Sequence, residues 1–393
     1  MKSPQLTPQG LPVPDAIERA HVEACEAMLR AEIHAAGGWI SFARYMELAL
    51  YAPGLGYYAA GARKFGAAGD FVTAPEISSL FGRCLARSMA ATLKETGGEV
   101  FELGPGSGKL ACDVLTALDA MDALPAHYYL LEVSADLRER QQAALATLPA
   151  HLSARAVWLD RLPENFDGVI IANEVLDVIP VHLVVYPQGL AHERGVSLEN
   201  NALVWRDIAP ISEHLKTAES RVAISFSGNV PDGYLSEISP ACEAWVTSLA
   251  TSLRRGMILL IDYGFRRAEF YHPSRRTGTL MCHYRHRAHA DPFFLPGLQD
   301  ITAHVDFTTI AEAGIAAGLT LDGYTSQAQF LIESGITDFI IEADPADTVR
   351  YLQLTNQAQR LLSPAEMGEF FKVIGFSKGC NPGTFTQARP LPL

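Results

Sequence analysis

The segment EVFELGPGSGKL, residues 99–110, gives the strongest indication of how this chain folds. A segment typical of a buried strand runs directly into three glycines, Gly104, Gly106 and Gly108, and a segment typical of a helix begins at Lys109. Glycine turns between a strand and a helix hold several kinds of nucleotide, and each kind needs its own glycine spacing. The spacing therefore decides which ligand this turn can hold.

The glycine spacing excludes two common nucleotide motifs. A phosphate-binding P-loop, GxxxxGK followed by Ser or Thr, would need a glycine where this chain has Leu103 and a hydroxyl where it has Leu110. A dinucleotide motif, GxGxxG, would need a glycine in place of Lys109. The remaining pattern, ExGxGxG, is the spacing seen where a strand turn accommodates the methionine and ribose portions of S-adenosylmethionine.

Two acidic residues stand where such a cofactor would need them. Glu102 ends the first strand, where it can accept hydrogen bonds from a ligand ammonium group, and Glu132 ends the next apolar segment, 24 positions after Gly108. A carboxylate at that strand tip can accept both ribose hydroxyls. The predicted cofactor contacts of this region are Glu102, Gly104, Pro105, Gly106, Gly108 and Glu132. A tight strand-to-helix turn beside an exposed acid is the alternative interpretation.

Strands and helices alternate from residue 99 onward. Apolar strands are predicted at 99–103, 127–133, 166–174 and 255–264, and helices at 109–118 and 135–145. Continuous apolar strands separated by helices imply a mostly parallel sheet that is covered on both faces. The predicted fold is therefore α/β, doubly wound and Rossmann-like, with ligands at the carboxyl ends of the strands.

The rest of the chain adds an N-terminal region and two insertions. Residues 1–97 are predicted to form a helical region with a glycine-rich lid loop, and residues 98–393 to form the main domain. Within the main domain we expect a small β-rich insertion at about 181–235. A second insertion, at about 265–306, is rich in Arg and His and is predicted to be loop-like, because it shows no clear period.

Composition limits the classes of function. The chain has 393 residues, 48% hydrophobic and 19% charged, and its net charge of −13 argues against a general affinity for nucleic acid phosphates. Its six cysteines form no CxxC pair, so neither a metal site nor a disulfide framework is predicted. No apolar run approaches the roughly 18 residues of a membrane helix, so no membrane insertion is expected. The first residues show neither a signal nor a transit pattern, which predicts a cytoplasmic location.

Six segments, in order along the chain, closely resemble the MidA-like family. They are GDFVTAPEISSLFG (69–82), ELGPGSGKL (102–110), LEVSADLRERQ (131–141), ANEVLDVIPVH (172–182), LIDYG (260–264) and DITAHVDF (300–307). The family consists of class I S-adenosylmethionine-dependent methyltransferases, so the resemblance implies a seven-stranded sheet and S-adenosylhomocysteine as a product. The family usually has NEFFD where this chain has NEVLD, with Val175 and Leu176. The polar residues of this motif, Asn173, Glu174 and Asp177, are the same as in the family. The two residues that differ are expected to affect the shape of the substrate pocket.

Three polar residues lie at the end of the third predicted strand and just beyond it. Asn173, Glu174 and Asp177 stand where class I enzymes place polar residues that face the substrate. Methyl transfer to nitrogen needs an oriented nucleophile, and acidic groups can hold a cationic guanidinium at two points. We expect Glu174 and Asp177 to clamp a guanidinium, with capping of a helix N-terminus as the alternative interpretation.

The resemblance also implies that the N-terminal glycine-rich loop covers the cofactor. The residues expected to contact cofactor or substrate are Asp70, Thr73, Pro75, Glu76 and Ser78. Glycines leave such a loop free to open and close. The alternative is a plain capping arrangement at the start of the helix predicted over 75–98, with Glu76 in its first turn.

A candidate base lies further along the chain. The segment 300–307 alternates polar and apolar residues like a short half-buried strand, with four residues on one face: Asp300, Thr302, His304 and Asp306. His304 is a candidate for assisting proton removal, and a structural histidine is the alternative. The segment HYRHRAH, 283–289, has no zinc-site order and is predicted to be a solvated loop.

The resemblance implies a more specific function than the residues alone do. The family includes a mitochondrial complex I assembly factor that dimethylates an arginine of a core subunit, so the expected activity is protein arginine methylation on a respiratory subunit. Methylation of a small molecule or of another protein side chain is one alternative. An assembly chaperone that retains a S-adenosylmethionine site as a relic is another. The intact glycines and Glu132 favour catalysis over the relic.

Overall fold

The computed structural model describes residues 10–60, 73–342 and 346–381. In chain order its strands are β1 (Trp39–Ser41), β2 (Glu99–Leu103), β3 (Tyr128–Leu131), β4 (Ala156–Leu159), β5 (Phe166–Asn173), β6 (His182–Tyr186), β7 (His192–Glu199), β8 (Ala202–Ile208), β9 (Tyr234–Ile238), β10 (Leu253–Phe265), β11 (Met281–Tyr284), β12 (Arg287–His289), β13 (Asp300–Thr302), β14 (Val305–Asp306), β15 (Thr320–Ser326) and β16 (Phe371–Lys378). Its α-helices are α1 (Ala16–Ala35), α2 (Phe42–Tyr51), α3 (Ala74–Ile77), α4 (Ser79–Thr96), α5 (Lys109–Ala120), α6 (Ala135–Leu145), α7 (Ala150–Ser153), α8 (Lys216–Ser225), α9 (Pro240–Ser252), α10 (Arg267–Phe270), α11 (Phe307–Ala316), α12 (Gln327–Glu333), α13 (Ile336–Ile341) and α14 (Thr348–Leu362). Short 3₁₀ helices lie at Pro187–Gly189 and Glu213–Leu215.

The chain divides into two compact units, each discontinuous along the sequence. The larger unit comprises Val72–Leu176, Glu243–Arg266 and Val305–Leu393. The smaller unit comprises Met1–Phe71, Asp177–Cys242 and Arg267–His304. The domain limits expected from the sequence, with a boundary at residue 97, stay a prediction. The compact units group α3 and α4 with the larger unit.

The larger unit is built on one mixed sheet with the strand order β15, β16, β10, β5, β2, β3, β4. Neighbouring strands from β10 to β4 are parallel, and β16 runs antiparallel to both of its neighbours. Within the described residues the sheet has these seven strands in a row and an eighth, the two-residue strand β14, beside β10. The α/β doubly wound fold expected from the sequence is confirmed, and β4 is a strand that the sequence analysis missed.

The core of the larger unit forms around the two central strands β5 and β10. Ile171 and Leu259 belong to one buried cluster with Leu85 of α4 and Leu115 of α5. Their neighbour Ile170 is buried as well, as expected for a parallel sheet with both faces covered. Burying each such aliphatic side chain stabilises the fold by about 1.5–3 kcal/mol. The apolar character of these strands therefore fixes the sheet on which the site is built.

The carboxyl ends of three central strands lie at one edge of this sheet. Leu103, the last residue of β2, pairs with Leu131 of β3 and with Ala172 of β5. The residues at these strand ends, among them Glu132 just after β3 and Asn173 at the end of β5, therefore lie at nearly the same level of the sheet. Ligands of open α/β sheets bind beyond these ends.

The smaller unit contains two antiparallel sheets. The first has the order β1, β7, β6, β9, with β8 paired to β7, and the second has the order β12, β11, β13. Helices α1 and α2 contribute Leu29 and Phe42 to a buried cluster that also contains Leu183 of β6 and Val196 of β7. Strands β6 to β9 confirm the β-rich character predicted for about 181–235.

The expectation of a loop over 265–306 is wrong. Strands β11, β12 and β13 lie in this range, and the segment 283–289 forms β11 and β12 rather than a solvated loop. The turn between them uses Arg285 and His286, both in the left-handed region with φ of 50° and 61°. Strand β13 pairs with β11 across about twenty residues of chain, so a search for a local period could not reveal this sheet.

The single strand expected over 300–307 is also wrong. The structure has two short strands, of which β13 pairs with β11 in the smaller unit and β14 pairs with β10 in the larger unit. The chain passes from one unit to the other between His304 and Val305. Asp300 and Asp306 therefore do not share one face of a strand.

Candidate functional site

The turn after β2 has the backbone conformation that requires glycine. Gly104, Gly106 and Gly108 have φ of 61°, 54° and 82°, all in the left-handed region. A Cβ on Gly104 would lie 2.8 Å from Cγ2 of Val175, and a Cβ on Gly108 would lie 3.1 Å from Cα of Gln141. The turn is therefore both strained for other residues and closely packed on two sides.

Glu102 is a buried carboxyl group beneath this turn. Its exposed fraction is 3%, and one carboxylate oxygen accepts a hydrogen bond of 2.7 Å from the hydroxyl of Tyr128. The pKa of Glu102 is raised to about 7, mainly because burial disfavours the charged form; the bond from Tyr128 opposes this shift, and the charge of Glu132 adds to it. Glu102 can therefore change its charge near neutral pH when a cation approaches.

Glu132, directly after β3, is buried as well, with an exposed fraction of 8%. Oε1 accepts a hydrogen bond of 2.8 Å from the backbone N–H of Ser134, and Oε2 accepts one of 3.0 Å from Nε2 of Gln141. An ionised carboxylate only accepts hydrogen bonds. These two bonds, one to each oxygen, fix the orientation of the Glu132 side chain.

The segment after β5 forms a second tight turn beside the glycine turn. Glu174 has φ of 55°, unusual for a residue with a side chain, and its N–H donates to the carbonyl of Ile261 at 2.9 Å. The side-chain amide of Asn173 donates to Oε1 of Glu174 at 3.1 Å. Oδ1 of Asn173 is buried and has no hydrogen-bond partner among the described residues. A buried acceptor of this kind is suited to a ligand donor.

Asp262 holds this second turn in place. It is fully buried, and its Oδ2 accepts hydrogen bonds from the backbone N–H groups of Val175 (3.1 Å) and Leu176 (2.9 Å). Its Oδ1 accepts from the N–H of Tyr263 at 2.9 Å. The aspartate belongs to the segment LIDYG, for which the sequence predicted no role. A charged residue inside an apolar strand was the signal for it.

The predicted lid residues lie on both sides of helix α3. Asp70 lies outside the described residues. Thr73 precedes α3, and Pro75 stands in its first turn, whereas Ser78 has an extended backbone that separates α3 from α4. The helix predicted over 75–98 is therefore two helices, because Ser78 caps the second one through the N–H of Leu80 (3.2 Å).

Glu76 and Ser78 make different contacts. Glu76 accepts a hydrogen bond from the hydroxyl of Ser107, which lies inside the glycine turn. Ser78 donates its hydroxyl to Oε1 of Gln357 in α14 at 2.8 Å. Glu76 is thus the member of this set that is tied directly to the glycine turn, and Ser78 has the capping role that the sequence left open as an alternative.

The remaining two candidates belong to the smaller unit. Asp177 is the residue at which the chain enters this unit after Leu176. It is 5% exposed, and its backbone carbonyl accepts a hydrogen bond of 2.9 Å from the N–H of Ala303. Burial, with a smaller effect of Arg275, lowers the pKa of His304 to about 4. His304 is therefore neutral at pH 7, and it takes up a proton weakly. Its role as a base stays a prediction.

The residues of the larger unit fit a nucleoside ligand with a cationic group. Two buried carboxylates lie beside a turn with three glycines in the left-handed region, and carboxylates suit an ammonium group and vicinal hydroxyls. The described residues contain no group of three or more His, Cys, Asp and Glu placed to hold a metal ion. No helix in that part of the chain is long and apolar enough to cross a membrane. The fold and the site together define a doubly wound nucleoside-binding protein.

Comparison with known proteins shows which family of nucleoside-binding proteins this chain belongs to. The model of a family described as "Putative S-adenosyl-L-methionine-dependent methyltransferase" matches residues 81–325, and the chain belongs to this family. The expected enzyme class, a methyltransferase that uses S-adenosylmethionine, is thereby confirmed.

Individual relatives are similar in sequence to this chain over most of its length. A crystal structure of a protein from Burkholderia thailandensis bound to S-adenosyl-homocysteine is 48% identical in sequence, covers 96% of this chain and 98% of its own, and has a TM-score of 0.91. "Protein arginine methyltransferase NDUFAF7, mitochondrial" from Danio rerio is 28% identical, with 87% of this chain and 85% of the relative covered. The Homo sapiens protein of the same name is 27% identical, with 85% and 79% covered.

Proposed function

We propose that this chain transfers a methyl group from S-adenosylmethionine to an arginine side chain of a protein, with S-adenosylhomocysteine as the product. Membership of the family supports the cofactor, and the names of the Danio rerio and Homo sapiens relatives support arginine as the acceptor. The acidic turn at Glu174 supports a cationic acceptor as well.

The cofactor contacts that we propose lie at the ends of β2 and β3. Glu102 accepts hydrogen bonds from the ammonium group, and its pKa of about 7 leaves it ready to ionise when that cation binds. Glu132 accepts the ribose hydroxyls, and the hydrogen bonds from Ser134 and Gln141 orient its carboxylate. The glycine turn brings its backbone against the ligand at Gly106, where no Cβ intervenes.

The closeness of the acidic turn to the glycine turn carries the proposal. Val175 contacts Gly104, so Glu174, the preceding residue, stands beside the turn proposed to hold the cofactor. S-adenosylmethionine supplies the electrophilic methyl group when bound. A carboxylate at Glu174 orients a guanidinium and draws its positive charge away from the attacking nitrogen. Asp177, three positions further along the chain, is proposed as the second acid of this clamp.

The partner and the location also remain proposals. A respiratory complex I subunit with an exposed arginine is the substrate that the MidA-like resemblance suggests, and the chain's acidity suits a basic segment of such a partner. The Danio rerio and Homo sapiens relatives are named mitochondrial. The cytoplasmic location predicted from the sequence therefore stays a prediction, to be decided by fractionation of the source cells.

A labelling experiment tests the acceptor. The purified chain is incubated with methyl-labelled S-adenosylmethionine and a lysate of source cells that lack this protein, and the labelled residue is located by mass spectrometry. Label on an arginine of a protein supports the proposal. Label on a small molecule or on another side chain would assign one of the alternative activities, and absence of label with intact cofactor binding would favour the assembly chaperone.

The variant Glu174→Gln tests the role of the acidic turn. It keeps size and shape but removes the charge, so turnover should fall by about 10²-fold or more while affinity for S-adenosylhomocysteine stays within about twofold. Glu139→Gln, at an exposed acid on α6, is the matched control and should leave both unchanged. A parallel loss of cofactor affinity would place Glu174 beside the cofactor, and full turnover would limit it to a structural role.

A further inference from the structure

Gln141 is a polar residue in an apolar position. Helix α6 buries Leu137, Gln141 and Leu145, which are four residues apart and form one stripe along the helix. The side chain of Gln141 is completely buried, whereas the rest of the helix is largely charged and polar. A buried amide costs free energy unless its donors and acceptor are paired. Its partners therefore indicate what it does.

Three different groups hold the amide of Gln141 in one orientation. Oε1 accepts a hydrogen bond of 2.9 Å from Nε1 of Trp158. Nε2 donates to the carbonyl oxygen of Gly106 at 2.9 Å and to Oε2 of Glu132 at 3.0 Å. An indole can only donate, and a carbonyl and a carboxylate can only accept. A reversed amide would oppose all three partners, so this orientation is fixed by chemistry.

This arrangement joins the two parts of the proposed cofactor site. Gly106 lies in the middle of the glycine turn after β2, and Glu132 follows β3. The side-chain –NH₂ group of Gln141 donates hydrogen bonds to both Gly106 and Glu132. The distance between the glycine turn and the carboxylate therefore depends on Gln141. The close approach of Gly108 to the backbone of Gln141 anchors the same helix to the turn.

We propose that Gln141 is a positioning residue of the cofactor site, which aims the carboxylate of Glu132 at the ribose hydroxyls and holds the glycine turn at a fixed distance from it. The inference rests on the proposed function, because it takes Glu132 as the group that binds ribose. Gln141 acts through Glu132 and Gly106 and needs no contact with the ligand. Its loss should therefore show itself as a loss of selectivity for ribose hydroxyls.

The test measures that selectivity with two nucleosides. Adenosine and 2′,3′-dideoxyadenosine compete with S-adenosylhomocysteine for the wild-type chain and for Gln141→Leu, which keeps the bulk and removes the hydrogen bonds. We expect wild type to prefer adenosine by about tenfold or more, since hydrogen bonds to a charged group contribute about that factor. In Gln141→Leu the preference should fall to about threefold or less.

Two further variants separate positioning from packing. Trp158→Phe removes only the donor to Oε1, so it should keep most of the wild-type preference for adenosine. Gln141→Met keeps about the same length but has no N–H to offer Gly106 or Glu132, so it should lose the preference. It serves in place of Gln141→Leu if that variant does not fold.

The outcomes are distinct. Equal weakening of both nucleosides in the Gln141 variants would overturn the inference, because a structural role alone would lower both affinities by the same factor. A similar loss of the preference for adenosine in Trp158→Phe would also overturn the inference. Wild type that binds S-adenosylhomocysteine without preferring adenosine would remove Glu132 as the ribose group, and this inference with it. Wild type that binds no S-adenosylhomocysteine would instead refute the proposed function.

Discussion

Protonation of Glu102 is expected to control cofactor affinity near neutral pH. In the free protein burial raises its pKa to about 7 from an ordinary value of 4.5. A ligand ammonium group favours the ionised carboxylate and should lower this pKa to about 5 or less. Affinity for S-adenosylhomocysteine should therefore increase as the pH rises through 7 and reach a plateau above it.

The size of the expected change in affinity follows from the difference between the pKa of Glu102 in the free protein and in the complex. With a pKa of about 7, roughly ten of eleven free molecules carry a proton on Glu102 at pH 6, and roughly one in four at pH 7.5. The dissociation constant should therefore be about eightfold higher at pH 6 than at pH 7.5, and binding at pH 6 should release close to one proton.

The folding stability of the free protein is expected to change with pH in the opposite direction to its cofactor affinity. A carboxyl group whose pKa is higher in the folded than in the unfolded state favours folding fully below about pH 4.5, and it loses that contribution as the pH rises through about 7. The free protein should therefore lose stability over this range, whereas the complex should not.

Titration calorimetry at both pH values, in two buffers of different ionisation enthalpy, measures affinity and proton release together. Glu102→Gln is the control, and it should bind more weakly with no pH dependence over this range. A wild-type dissociation constant that stays level between pH 6 and pH 7.5, without proton release, would refute the assignment of Glu102 to the ammonium group.

Three further substitutions test neighbouring parts of the site. Gly106→Val should abolish binding of S-adenosylhomocysteine, because a branched side chain neither accepts φ of 54° nor leaves the backbone open; calorimetry with wild-type affinity would contradict this. Glu132→Ala should weaken the same binding by about 2–4 kcal/mol through loss of the ribose contacts, and an unchanged dissociation constant would rule that role out. Asp262→Asn should lower the free energy of unfolding by about 1–3 kcal/mol in denaturant titrations, because an amide cannot accept from Tyr263 and from Val175 and Leu176 at once. Stability equal to wild type would show that this turn does not depend on the carboxylate.

Features that depend on neighbours along the chain could be predicted from the amino-acid sequence alone. The glycine turn could be predicted because the required φ values belong to single residues, and Glu102 and Glu132 could be placed because each lies near the end of a short apolar segment. The apolar character of β5 and β10 determined the doubly wound sheet, since strands of that kind must be covered on both faces.

Tertiary structure decided what depends on residues far apart in the chain. Gln141 could have been suspected from its place between Leu137 and Leu145, yet its partner Gly106 lies 35 positions away. The raised pKa of Glu102 depends on burial by the whole sheet. The division of 300–307 between two units depends on strands β10 and β11, with which its halves pair. Local propensity contains no information on such hydrogen bonds and burial, because the chain forms them only when distant segments meet.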